Sequence, residues 1–212
     1  MQPKTIRIML VDDHGMVRNG IRLMLANDPD LEVAGEAETA QQAVALAQSQ
    51  PFDVALVDIS LPDRSGLDLL KQLIETHPKL AVLIISMYSE EIYAVRALKH
   101  GAAGYLTKDS SATTMVAAIR KAAAGGKVVS AATAQKLAGM IGGSGLAAHE
   151  HLSDRELEVM KMIAAGESLV DIAERLHLSP STVTTYRTRI LEKMNLKNNA
   201  ELTRYVYGND LM

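Results

Sequence analysis

Short apolar runs alternate with helical patterns five times in the first 125 residues. The apolar runs predict β-strands near residues 6–12, 31–36, 53–58, 81–86 and 103–107. The run from Val54 to Val57 is apolar at every position, which is typical of a strand buried on both faces of a parallel sheet. Five strand–helix units of this length predict a doubly wound parallel sheet with right-handed crossovers.

Capping residues mark the ends of the predicted helices. Side chains that could satisfy the free amides of a first turn lie at Thr39-x-x-Gln42, at Ser65-x-x-Asp68 and at Ser89, which precedes two acids. Glycines that suit a left-handed C-terminal cap follow two helical runs, at Gly101 and Gly125.

The pattern changes to helices alone after residue 149. Capping residues mark the predicted N-termini of three helices, namely Ser153 with Glu156, Ser168 with Asp171, and Ser179 with Pro180. A fourth helix is expected from about residue 198 to 207. Two short helices joined by a tight turn, the second one basic, predict a helix-turn-helix.

Glycine-rich pieces separate the two regions. They lie at residues 125–126 and 142–145, and such pieces behave as flexible links. A short helix is predicted between them, from Ala131 to Ile141. The predicted domains are therefore residues 1–125, a linker over 126–148, and residues 149–212.

Composition and charge narrow the class of protein. The chain has no cysteines, which excludes disulfides and thiolate metal sites. His149 and His151 lack the spacing of the helical zinc motif and are expected to be solvated. No signal-peptide pattern and no membrane-length apolar run is present, so we expect a cytoplasmic protein without a membrane partner. The net charge is −3, but residues 175–197 hold five basic side chains against one acid, which indicates an anionic partner.

Polar groups stand at the ends of four predicted strands. They are Asp12 and Asp13, Asp58, Ser86, and Lys108 just after the fifth strand. The carboxyl edge of an open α/β sheet is where such folds bind ligands. Three carboxylates could bind Mg²⁺, and Lys108 with the Ser86 hydroxyl could hold phosphoryl oxygens. Asp58 would then be the nucleophile.

Four motifs in order resemble the receiver domain of bacterial response regulators, over residues 5 to about 125. They are Leu-Val-Asp-Asp-His at 10–14, Val-Asp-Ile-Ser-Leu-Pro at 57–62, Ile-Ile-Ser at 84–86 and Gly-Tyr-Leu-Thr-Lys at 104–108. The resemblance implies a flavodoxin-like fold in which Asp58 accepts a phosphoryl group from a sensor histidine kinase.

The same resemblance implies a role for each surrounding residue. Asp12 and Asp13 would hold Mg²⁺ together with Asp58 and the backbone carbonyl of Ser60. Ser86 and Tyr105 match the two switch positions, with Ser86 turning towards the phosphoryl group and Tyr105 moving inward. Many members of the family have Thr where this chain has Ser86. Ser86 keeps the hydroxyl but lacks the restricted side-chain rotation of Thr.

Three stretches near the C-terminus look like the LuxR-type DNA-binding domain, at 152–159, 172–176 and 181–194. The whole chain is therefore similar to NarL/FixJ-type response regulators. The resemblance places base-reading positions on the third helix, at Thr184, Thr185 and Thr188. Arg187 and Arg189 are expected to reach bases or phosphates, and Lys193 and Lys197 to contact phosphates.

Pairing of two DNA-binding domains is expected to follow phosphorylation. One short recognition helix reads few base pairs, so we predict a homodimer on double-stranded DNA with an inverted repeat. The fourth helix offers apolar residues for this contact, at Leu202, Val206, and Tyr205 or Tyr207. RNA polymerase is a further candidate partner.

The leading hypothesis is a phosphorylation-controlled transcription factor that is not an enzyme. A phosphatase or phosphotransferase with an Asp nucleophile is a second hypothesis, but it needs a second acid or base that the chain does not offer at a suitable spacing. A constitutive DNA-binding protein with an inert receiver is a third. The intact set of Asp12, Asp13, Asp58 and Lys108 argues against it.

Overall fold

The computed structural model describes residues 5–88, 90–141, 147–209 and 211–212, with the backbone alone at residues 91, 140 and 141. The chain divides into two compact units, Met1–Leu137 and Ala138–Met212.

A five-stranded sheet forms the centre of the first unit. Its strands are β1 (Ile6–Val11), β2 (Leu31–Ala37), β3 (Val54–Asp58), β4 (Ala81–Ser86) and β5 (Gly104–Thr107). Every pairing is parallel, and the spatial order is β2-β1-β3-β4-β5. The predicted strands and the doubly wound parallel sheet are confirmed. The strand order reverses between β1 and β3, which is where such sheets form their ligand crevice.

Helices cover the sheet. They are α1 (Gly15–Leu25), α2 (Ala40–Ser49), α3 (Gly66–Thr76), α4 (Glu90–Lys99) and α5 (Ala112–Ala123). β3 is buried along its whole length, as its unbroken apolar run predicted. Apolar residues of β1, β3 and β4 pack with Met115 and Ile119 of α5, so the central strands are held from water at the core of the unit.

The capping signals were only partly right. Thr39 accepts a hydrogen bond from the backbone of Gln42, but the Gln42 side chain accepts from Glu38 rather than completing a capping box. Ser65 caps α3 through the amide of Leu67. The expected cap at Ser89 lies outside the described residues.

The first unit extends beyond its predicted end at residue 125. Val128 donates from its backbone to the carbonyl of Ala103 at 2.6 Å, beside the start of β5. Lys127 donates to two carbonyls of the loop before β5. In the next helix, α6 (Ala131–Ile141), Thr133 donates to the Glu90 carboxylate at 2.7 Å. The first part of the predicted linker is therefore fixed to the sheet unit, and the boundary lies near residue 137.

From residue 147 onward, the described part of the second unit forms a 3₁₀ turn (Ala148–His151) and four helices. These helices are α7 (Asp154–Ala164), α8 (Leu169–Arg175), α9 (Pro180–Lys193) and α10 (Asn199–Gly208). Both predicted capping boxes, at the starts of α7 and α8, are complete. His177 adopts a left-handed φ of 53° between α8 and α9, which gives the tight turn of the expected helix-turn-helix.

The prediction for His149 was wrong. Its side chain is buried, and its Nδ1 lies 3.0 Å from the hydroxyl oxygen of Tyr205 on α10. This contact ties the 3₁₀ turn to the last helix of the unit. His151 is exposed, as expected. Within the described ranges, no helix combines the length and the apolar character needed to cross a bilayer.

Gly66 shows how closely α3 approaches the end of β3. A Cβ atom there would lie 1.9 Å from the backbone oxygen of Asp58. We predict that Gly66→Ala lowers the free energy of unfolding by about 1–3 kcal/mol, because the helix or the strand end must move. Urea denaturation followed by circular dichroism measures this loss.

Gly20 supplies the control, because a Cβ at this position in α1 meets nothing within 4 Å. Gly20→Ala should raise stability by about 1 kcal/mol through helix propensity alone. Equal effects of the two substitutions would contradict the steric account of Gly66.

Candidate functional site

Three charged side chains meet at the carboxyl edge of the sheet. Asp12 follows β1 and Asp58 ends the neighbouring strand β3, and the two residues are 1% and 2% exposed. Lys108 follows β5, and its Nζ lies 2.7 Å from Asp12 Oδ2 and 2.8 Å from Asp58 Oδ2. The structure therefore brings together three of the residues that the sequence singled out.

The same edge presents a set of possible metal ligands. Asp12, Asp13, His14 and Asp58 each offer one ligand atom, and these atoms lie within 4.8 Å of one another. Asp12 Oδ2 is buried and contacts Lys108, but it accepts no hydrogen bond of regular geometry. An under-satisfied buried carboxylate oxygen among other carboxylates fits a hard divalent cation. The acidic pocket could therefore bind a metal ion.

His14 was not predicted as part of the site. Its Nδ1 lies 2.7 Å from Asp13 Oδ1 and 3.1 Å from Asp12 Oδ1. Its backbone amide also donates to Asp12 Oδ1 at 2.8 Å. These contacts orient both carboxylates, and only its position directly after the two aspartates could have suggested them.

Arg18 was also missed. One of its terminal nitrogens donates to the backbone carbonyl of Asp12 at 2.6 Å, while the rest of the guanidinium binds Glu36 in β2 and Glu38 just after it. The loop that carries Asp12 is thus fastened to the neighbouring strand. A cation near a helix N-terminus is disfavoured by the helix dipole, and that anomaly is the signal in the sequence.

Burial and ion pairing set the protonation of the pocket. Burial raises the pKa of Asp58, and the hydrogen bond from Lys108 opposes this effect. Burial lowers the pKa of Lys108, but its ion pairs with Asp12 and Asp58 outweigh burial and raise the pKa overall. Lys108 therefore remains cationic at neutral pH. The backbone amide of Ser60, which follows Asp58 closely, also favours the charged carboxylate.

The two expected switch residues contact the same loop residue. Ser86, buried at the end of β4, accepts a hydrogen bond from the backbone amide of Tyr88 at 3.2 Å. Tyr105 on β5 lies inward, and its hydroxyl donates to the backbone carbonyl of Tyr88 at 2.7 Å. Burial raises the pKa of Tyr105, so the phenol stays protonated and can donate.

In the second unit, α9 carries the predicted DNA-contacting residues on an exposed face. Thr184, Thr185 and Thr188 are exposed, as is Arg189. Arg187 is only partly exposed, and its Nε donates to Asn199 Oδ1 at 2.6 Å. Lys197 is exposed in the turn after α9.

Lys193 has a structural partner that the sequence did not indicate. Its Nζ lies 2.7 Å from Glu156 Oε2 on α7, a carboxylate that also accepts from the backbone and hydroxyl of Ser153. Burial raises the pKa of Glu156, but Lys193 and Ser153 outweigh it and lower the pKa overall. The ion pair joins α9 to α7, so Lys193 is not simply a free surface cation.

The expected dimer surface on α10 needs correction. Leu202 and Val206 are 0% exposed, on the helix that packs against α7. Tyr205 is half-buried and bonded to His149. The two aliphatic side chains are therefore not free to contact a second copy. Tyr207, which is 57% exposed, is the apolar residue that this helix leaves available.

Two family models match the chain. Residues 8–120 match the response regulator receiver domain, and residues 150–206 match the bacterial regulatory proteins of the luxR family. The chain belongs to the response-regulator family. Its function is that of a two-component response regulator, with a receiver domain and a LuxR-type helix-turn-helix domain that controls transcription. Transcriptional regulators of this family are in general not enzymes.

Relatives of similar length support this assignment. The response regulator GacA of Pseudomonas protegens is 38% identical over 199 residues, which cover 93% of each chain. The response regulator UvrY of Escherichia coli K12 is 34% identical over 207 residues, which cover 93% of this chain and 92% of UvrY.

Solved structures show the same architecture. A two-component response regulator of the LuxR family from Aurantimonas is 33% identical, with a TM-score of 0.59, and covers 65% of this chain and 99% of its own. RcsB from Salmonella enterica, bound to the promoter rprA in the presence of phosphomimetic BeF3−, has a TM-score of 0.71. It covers 96% of this chain and 99% of its own at 23% identity, and so supports the fold alone.

The raised pKa of Asp58 predicts a pH-dependent effect of Asp58→Asn. Burial disfavours the carboxylate in the folded receiver, so folding stability falls as pH rises from the usual aspartate pKa through the raised one. The uncharged amide should therefore make the receiver more stable at pH 7, and this advantage should vanish in acid, where Asp58 is protonated. Urea denaturation at several pH values measures the difference.

Asp109→Asn is the matched control, because Asp109 is exposed and adjacent to Lys108 in sequence. A surface substitution of this kind should change stability by less than about 0.5 kcal/mol. A destabilised Asp58→Asn protein at pH 7 would show that the bond to Lys108 outweighs the cost of burial.

Proposed function

We propose that Asp58 accepts a phosphoryl group from a sensor histidine kinase and that this transfer controls sequence-specific DNA binding. The observation that carries the proposal is the convergence of Asp12, Asp58 and Lys108 within one buried pocket. In the reaction, an Asp58 oxygen attacks the phosphorus of the kinase phosphohistidine. The bond from nitrogen to phosphorus breaks, and an acyl phosphate forms on Asp58.

Each neighbour of Asp58 has a role in this proposal. Asp12, Asp13, Asp58 and the backbone carbonyl of Ser60 would hold Mg²⁺, which would neutralise charge on the phosphoryl group. Lys108 shifts from the Asp58 carboxylate to a phosphoryl oxygen, which keeps the ammonium paired in the buried pocket. The Ser86 hydroxyl donates to another phosphoryl oxygen.

We propose that the loop at Tyr88 transmits the change. When the Ser86 hydroxyl turns to the phosphoryl group, the amide of Tyr88 loses the acceptor it has at 3.2 Å. The loop can then shift, and Tyr105 follows because it is bonded to the carbonyl of the same residue. A free-energy difference of a few kcal/mol between the two loop positions is enough to change which surface the receiver presents to a partner.

We propose that α9 enters the major groove of double-stranded DNA. Thr184, Thr185 and Thr188 would face the bases, while Arg189 and Lys197 would bind phosphates. Two chains would pair as a homodimer on an inverted repeat after phosphorylation, and RNA polymerase would be recruited or blocked there. We propose that the protein acts in the cytoplasm, and its family role in transcription supports this location.

The phosphoacceptor assignment predicts a sharp effect of Asp58→Asn. This variant should lose Mg²⁺-dependent labelling by a small-molecule phosphoryl donor, because an amide is a poor nucleophile. Asp13→Ala should label weakly and recover with excess Mg²⁺, since it keeps the nucleophile and loses a metal ligand. Intact-mass measurement of the phosphorylated fraction gives both results.

Asp68→Asn is the control for labelling, because Asp68 lies on the outer part of α3 in a pair with Lys71. It should label like the natural chain. Undiminished labelling of Asp58→Asn would place the phosphoacceptor elsewhere.

DNA affinity is predicted to depend steeply on salt. Each phosphate contact by a lysine or arginine releases counterions, so Lys197→Ala should weaken binding to all sequences alike and flatten the salt slope by about one unit. Lys197→Arg keeps the charge and should leave the slope unchanged. Fluorescence anisotropy with phosphorylated protein at several salt concentrations provides the measurement.

Lys193→Ala should behave differently from Lys197→Ala. It leaves the buried Glu156 carboxylate without its cation, so the second unit should also lose stability. A flat salt dependence for the natural chain would contradict a binding mode based on phosphate contacts.

A further inference from the structure

The three exposed threonines of α9 share one hydrogen-bonding arrangement. Each hydroxyl donates to the backbone carbonyl of the residue four positions earlier. Thr184 donates to Pro180, Thr185 to Ser181 and Thr188 to Thr184. The distances are 2.9 Å for Thr184, 3.0 Å for Thr185 and 3.1 Å for Thr188. This back-bonding is a common arrangement for threonine within a helix.

The arrangement changes what the helix face offers to a ligand. A threonine hydroxyl has one hydrogen, and here that hydrogen is already donated to the helix backbone. What remains on each side chain is a methyl group and the two acceptor lone pairs of the oxygen. Donating to a base would require breaking the existing bond, so one hydrogen bond would only replace another, with little net gain.

The surrounding cations do not restore donors at these three positions. The Nε of Arg187 is engaged by Asn199, and Lys193 is paired with Glu156. The three threonine positions themselves therefore offer no free donor to the two acceptors of guanine in the major groove, while Arg189 beside them is exposed. The centre of the face is instead a small patch of methyl groups with basic residues around it.

We infer that Thr184, Thr185 and Thr188 read thymine through methyl–methyl contact in the major groove. Among the four bases only thymine carries a C5 methyl group, and apolar contact with threonine methyls is a known way to recognise it. This inference rests on the proposed function, because it requires α9 to lie in the major groove. It adds which base the operator must carry opposite the threonine face.

The test begins with the phosphorylated full-length chain and a random DNA pool. Selected sites should carry thymine opposite α9. In the best site, each such thymine is then replaced by deoxyuridine, which removes the C5 methyl and leaves base pairing unchanged. Binding should weaken about four-fold for each methyl read, which corresponds to the ~0.8 kcal/mol of one buried CH₂ group.

Protein variants identify the side chain that makes each contact. Thr→Ser at position 184, 185 or 188 removes the side-chain methyl and keeps the hydroxyl. In that variant, replacing one particular thymine by deoxyuridine should no longer weaken DNA binding. Thr→Val keeps a methyl and removes the hydroxyl, and it should bind within about two-fold of the natural chain.

Thr76→Ser is the matched control. Thr76 is exposed on α3 and bonds to the carbonyl of Gln72 in the same way, but it belongs to the receiver. In the Thr76→Ser variant, replacing thymine by deoxyuridine should weaken DNA binding as much as it does for the natural chain.

The outcomes separate the inference from the function on which it rests. Specific binding that ignores deoxyuridine, or that is lost in the Thr→Val variants, overturns methyl readout while leaving sequence-specific recognition intact. Selection of guanine opposite α9 does the same. Equal binding to selected and unselected DNA would overturn the proposed function and this inference with it.

Discussion

The receiver depends on one buried cluster of charge at the edge of its sheet. Two carboxylates, Asp12 and Asp58, share a single ammonium group from Lys108. Removing Lys108 would leave two carboxylates without a cation in a low-dielectric interior, which is costly, so the end of β5 must stay beside the ends of β1 and β3. The cluster keeps a surplus of negative charge, which makes it receptive to a divalent cation. Stability and chemistry therefore constrain the same three residues.

The second unit uses the same principle on a smaller scale. Glu156 is buried, completes the capping box of α7 and binds Lys193 at the end of α9. One carboxylate thus fixes a helix start and the position of a neighbouring helix. Glu156 binds both the capping residue Ser153 and Lys193 of α9. Directional contacts therefore hold α9 in place, in addition to the packing of its apolar residues. A recognition helix needs this rigidity, since small tilts move its side chains away from base edges.

Much of the fold followed from local patterns. The five strands, the helix-turn-helix and the meeting of Asp12, Asp58 and Lys108 were predictable because apolar runs, caps and strand ends are local signals. The roles of His149 and Lys193 were not, because their partners lie 56 and 37 residues away. The burial of Leu202 was missed for a similar reason: an apolar stripe does not reveal whether its own unit covers it.

The contact between Val128 and the start of β5 bears on aggregation. β5 is an edge strand, and such edges expose backbone groups that can pair with another molecule. Val128 covers part of this edge through its bond to Ala103, and its side chain packs on the core. A receiver fragment that ends at residue 125 loses this cover. Its solubility and shelf life will therefore be poorer than those of a fragment that continues through α6.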